Sequence, residues 1–86
     1  MLKEIREEVN QIDQELVRLL EKRYACVDEI VRIKKEQHIA TLDSTREQEV
    51  LKQVADLVEN KDYEISIMRT FQDIMDRSKE YQKQNK

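Results

Sequence analysis

The residues that could carry chemistry are polar side chains standing where a helical pattern calls for apolar ones. From Leu2 onward, apolar residues fall at Ile5, Val9, Ile12, Leu16, Leu19, Cys26, Ile30 and Ile33, in steps of three and four with one gap. The gap is Arg23. Lys34 follows eleven residues later, which at about 100° per residue is ~20° past three turns, so the two cations share a helix face roughly 16 Å apart. Extending the stripe Val50, Leu51, Val54, Leu57 and Val58 backwards lands on Arg46 and Glu47. The stripe Ile65, Met68, Phe71, Ile74 and Met75 continues forwards into Ser78, Tyr81 and Gln82. Burying two cations without anions is very costly. Either Glu47 and neighbouring acids neutralise them, or a bound dianion does. Two cations on one face, an inward carboxylate and two neutral hydrogen-bonding groups suit a small anion with hydroxyl or ether oxygens.

Each of these residues also has a plainer reading. A polar residue in a heptad seam sets register and oligomeric state, Glu47 can serve as a helix cap, and Ser78 and Gln82 can face solvent near the end of the chain. Their joint occurrence is what argues for a pocket. Other chemistries are poorly represented. The one histidine, His38, falls in a loop and reads as a surface residue; the one cysteine, Cys26, falls in the seam and reads as a small core residue. Neither makes a nucleophile–base set, and there is no metal-ligand spacing and no glycine-rich phosphate loop. No cofactor is expected. An enzyme built from these residues works by positioning and electrostatics rather than covalent catalysis. A net charge of −3 and a pI near 5.2 disfavour nucleic acid as a partner, while leaving room for a local basic pocket. With no signal peptide and no long apolar span, the expectation is a soluble, cytoplasmic protein without membrane contact.

Three helices must position these side chains. The 86 residues make one domain, 1–86, of which 41% are charged and none is glycine or proline. The seam predicts a first helix over residues 2–35, roughly 50 Å long. That is longer than a globule of this size is wide, so its own chain cannot bury it. The stretch Gln37 to Leu42 loses the seam and reads as a loop. Ser44 followed by Glu47 fits a capping box, with Asp43 an alternative cap, and opens a second helix over 44–59. Asn60, Lys61 and Asp62 form a polar turn, with Asp62 the expected cap of a third helix over 62–82; the last residues fray. The fold class is all-α, with one long and two shorter helices per chain. A small chain with one cysteine finds added stability in oligomerisation, and a second copy laid along the long helix completes a helical bundle.

The same residues carry a family resemblance. Ile5-Arg6-Glu7, Ile12-Asp13, Leu19-Leu20-Glu21-Lys22-Arg23, Ile33-Lys34 and Asp43-Ser44-Thr45-Arg46-Glu47, followed by Ser78 and Gln82, resemble the AroQ-type, all-helical chorismate mutases over essentially the whole chain. The resemblance implies an intertwined homodimer that rearranges chorismate to prephenate in the shikimate pathway to the aromatic amino acids, without a cofactor. It implies that Arg6 of the partner subunit and Arg23 bind the substrate carboxylates. Lys34 and Gln82 donate to the ether oxygen, Glu47 with Asp43 holds the ring hydroxyl, Ser78 assists at the ring carboxylate, and Arg46 supports Glu47 from behind. Geometry agrees on Arg6, which lies roughly 25 Å from Arg23 along one helix and cannot reach the same small ligand. The loop lacks the proline of well-known members, which bears most on Asp43. An isochorismate pyruvate lyase shares the fold and much of the cationic pocket. A non-catalytic dimerisation or regulatory module is the rival of a different class, and docking onto another enzyme of the pathway is left open.

Overall fold

A computed structural model describes residues 1–38 and 44–84. Three helices follow one another, α1 (Leu2–Gln37), α2 (Ser44–Leu57) and α3 (Glu64–Gln84), and no strand occurs among the described residues. The expected all-α architecture is present. α1 carries 36 residues without a glycine or proline to break it. At ~1.5 Å per residue it spans about 54 Å, which is the long dimension of the 54 × 24 × 16 Å chain.

The end of α1 comes from backbone conformation rather than from a breaker residue. His38 adopts the left-handed region (φ 56°, ψ 38°), and its N–H turns back to the Lys34 and Lys35 carbonyls. Histidine is among the non-glycine residues that visit this region more often than most. Lys34 and Lys35 fall in the last turn, where cations complement the helix dipole. Asp43 lies outside the described residues, as does most of the expected loop.

α3 starts differently from the sequence expectation. The capping side chain is Asn60, not Asp62: Asn60, in extended backbone, accepts a hydrogen bond from the Asp62 N–H at 3.0 Å. A 3₁₀ turn over Lys61–Tyr63 intervenes before α3 begins at Glu64. Lys61 ties this turn to both neighbours, donating to the Ala55 carbonyl at 2.9 Å and meeting Glu64 at 3.3 Å.

α3 packs against both other helices. The core is small, with one buried apolar residue from each helix: Val27, Val54 and Met75. Among the described residues, nothing covers the apolar seam of the first half of α1. Its seam residues Leu2, Ile5, Val9, Ile12, Leu16 and Leu19 are 46–62% exposed. Leu57 and Ile65, expected within apolar stripes, are exposed at the turn between α2 and α3. Cys26, expected in the core, is exposed in the single chain because its side of α1 borders an open cavity. The radius of gyration is 15.7 Å, against about 12 Å for a compact domain of this length.

Candidate active site

Where α3 packs against α2 and against the second half of α1, residues of all three helices line an open cavity of about 420 Å³. α1 contributes Arg23 and Lys34, just over three turns apart on the face predicted by their spacing, with Val27 and Ile30 as apolar wall between them. α2 contributes Arg46, Glu47 and Val50 from its first two turns. α3 contributes Met75, Ser78, Lys79 and Gln82, which recur at three- and four-residue steps and so share one face. Four cations and one carboxylate give the lining a formal charge of +3, within a chain whose net charge is −3. A positive lining of this kind favours an anion over a cation.

The polar atoms are partly committed. Arg23 Nη1 donates to Ser78 Oγ at 2.9 Å, joining α1 to α3. Ser78 is 5% exposed, so its hydroxyl has to find its partner inside the protein. Glu47 stands against a cation. Lys79 Nζ lies 2.7 Å from Glu47 Oε1, whereas the described ion pair of Arg46 is with Glu49, at 3.5 Å. The Glu47 contact is a charge contact without aligned hydrogen-bond geometry, since its Oε1 is buried and makes no hydrogen bond. The Glu47 carboxylate beside it holds the Lys79 ammonium above the usual lysine range, opposed by partial burial and aided by Asp76. Gln82 Oε1 is likewise buried without a partner. An unpaired buried amide oxygen costs free energy, and a ligand that supplies a donor, or an amide rotated to present its N–H₂ group, relieves it.

Of the residues singled out from sequence, Arg23, Lys34, Arg46, Glu47, Ser78 and Gln82 converge on this cavity. Arg6 does not: it sits near the exposed start of α1, in the half that the chain leaves uncovered. Lys79 is the residue that sequence reading passed over. Its signal was present, because it lies four residues after Met75 and three before Gln82 on the same stripe. The stripe taken forward from Met75 through Ser78, Tyr81 and Gln82 steps past it. Among the described residues no cluster of three histidine, cysteine, aspartate or glutamate side chains forms that could hold a metal ion, and no helix is long and apolar enough to cross a membrane.

A family model described as chorismate mutase type II matches residues 5–83. The chain belongs to the type II chorismate mutase family. No curated protein and no solved structure matches it. The match begins at Ile5, just ahead of Arg6, and runs one residue past Gln82, so it takes in every cavity residue of this chorismate mutase family member. The family is one of isomerases, and chorismate as the substrate agrees with a cavity built for an anion.

Proposed function

We propose that the protein rearranges chorismate to prephenate in aromatic amino-acid biosynthesis, acting as a homodimer with two such cavities. One observation carries the reading: Arg23, Lys34, Glu47, Ser78 and Gln82 line a single cavity, at positions picked out as polar breaks in apolar helix faces. Chorismate is a dicarboxylate with an enol ether and a ring hydroxyl. In its rearrangement one C–O bond breaks as one C–C bond forms within the same molecule. No proton transfer, electron acceptor or cofactor is required.

The protein has two tasks. It must hold a flexible dianion in the compact conformer that reacts, which lowers the entropic part of the barrier. It must also meet the negative charge that grows on the ether oxygen. Arg23 and Arg6 of the partner subunit take the carboxylates, since a guanidinium fork matches a carboxylate. Ser78, already on Arg23, assists at the ring carboxylate. Lys34 and the Gln82 amide donate to the ether oxygen. A preorganised donor in a dry site is worth about 3–4 kcal/mol in such a step. Glu47 accepts from the ring hydroxyl, with Asp43 nearby in sequence, and Arg46 contributes charge from the rim.

The dimer is supported by surface. The chain exposes 7316 Å², whereas a compact monomer of its mass exposes ~5,400 Å². The excess of ~1,900 Å² is what one partner of a permanent complex typically buries, and it includes the seam that would place Arg6 against a second copy.

Loss of chorismate absorbance with purified protein tests the reading. Arg23→Ala should lower kcat/KM roughly 10- to 10²-fold, the value of one charged hydrogen-bonding group, while the dimer persists by mass. A changed oligomer with unchanged turnover would make Arg23 a register device only. Salicylate and pyruvate from isochorismate, without prephenate from chorismate, would make the protein a lyase.

A further inference from the structure

The Glu47–Lys79 contact stands apart from the other ion pairs among the described residues. Those lie at the chain start or at three- and four-residue spacing within one helix or across the turn into α3. Glu47–Lys79 instead joins α2 to α3, and it does so at the cavity wall. Its side chains are 27% and 33% exposed, where attraction between charges is screened less than on open surface. Lys79 is itself held from behind. Its Nζ lies 3.4 Å from Asp76 Oδ1, and the same oxygen accepts from Gln72 Nε2 at 3.0 Å. Gln72, Asp76 and Lys79 thus form a ladder along one side of α3 that ends on Glu47. A glutamate side chain near a helix start has several rotamers, many of them pointing to water. The ladder selects one.

We propose that Lys79 is a positioning residue of the active site: it fixes the Glu47 carboxylate at the cavity wall, so that the carboxylate meets the substrate hydroxyl already oriented. Lys79 acts through Glu47 and does not itself take a substrate carboxylate. The proposal rests on the mutase reading above, and it adds a residue that neither the seam nor the family resemblance supplied. The gain belongs to catalysis rather than to folding, because misplacing a reacting partner by about 1 Å can cost as much as 10²-fold.

A double-mutant cycle on kcat and KM for chorismate separates the outcomes, with mass and Tm measured for every variant. Lys79→Met should lower kcat/KM by ~10- to 10²-fold, and Lys79→Arg, which retains the charge, should recover most of it. In a Glu47→Gln background, Lys79→Met should have no further effect, since the residue it positions has already lost its function. Lys79→Gln, of similar length and polar, serves the same comparison if the methionine variant is unstable. An equal penalty from Lys79→Met in both backgrounds overturns the proposal and makes Lys79 a direct ligand of the substrate. Wild-type kinetics for Lys79→Met, or a loss that follows Tm and is not recovered by arginine, also overturns it. A wild-type protein without chorismate turnover removes the functional reading itself, and this proposal with it; turnover with independent penalties removes this proposal alone.

Discussion

At position 23 of the α1 seam a leucine would continue the apolar pattern, but the guanidinium there donates to the buried Ser78 hydroxyl and borders the cavity. That bond occupies one of five arginine donors and leaves the fork free to grip an anion. Ser78 therefore does double service, as a satisfied core hydroxyl and as the side chain that aims Arg23. Gln82 shows the complementary case, a buried amide oxygen without a hydrogen-bond partner among the described residues. Being neutral across the accessible pH range, Gln82 offers a donor that does not titrate, whereas a carboxylic acid in its place would have to be protonated. Turnover should accordingly show no sharp acidic optimum. A steep loss of kcat between pH 5 and 7 would count against Gln82 as the donor to the ether oxygen.

Among the elements, α3 is the one that organises the others, because it contacts both α1 and α2. Its far end is fastened by Tyr81, whose hydroxyl donates to Asp28 Oδ1 at 2.6 Å and whose ring meets Tyr24 edge-on, with centroids 5.1 Å apart and planes at 76°. This geometry is favourable for aromatic pairs. It also sets the rotation of α3 at the residue next to Gln82. The hydrogen bond to Asp28, with burial second, raises the Tyr81 hydroxyl above the ordinary tyrosine range. A group raised in this way stabilises the fold below its unfolded value near pH 10 and loses that contribution as pH climbs through the folded value. Tyr81→Phe should lower Tm at neutral pH, and the gap from wild type should close above about pH 10. A gap that stays constant through pH 11 would show that the tyrosine matters by packing alone.

For the whole molecule, the governing quantity is uncovered apolar surface. A long helix with six exposed seam residues in its first half is not a stable end state in water. In the proposed dimer, burial against a second copy would remove that surface and would at the same time bring Arg6 within reach of the partner's cavity. The expected mass is twice 10.4 kDa, and Tm should rise with protein concentration as binding to the folded form requires. Leu16→Glu, in the middle of the exposed seam, should shift the protein toward monomer and abolish turnover together. A monomer that keeps full activity would show that each cavity is complete within one chain.

The sequence alone determined the three helices, the polar breaks in their apolar stripes and, through these, most of the cavity lining. It could do so because helical periodicity is local: each residue advances by about 100°, so Arg23 and Lys34, or Ser78 and Gln82, share a face whatever the rest of the chain does. The turn chemistry was less legible. Asn60 and Asp62 are both good caps, and only the path of the chain chose Asn60. The tertiary structure decided which charges meet. That Glu47 faces Lys79, and that Arg23 reaches Ser78, depends on how α1, α2 and α3 cross and how each is rotated about its own axis. No spacing within a single helix contains that information, since the packing of side chains between helices sets it.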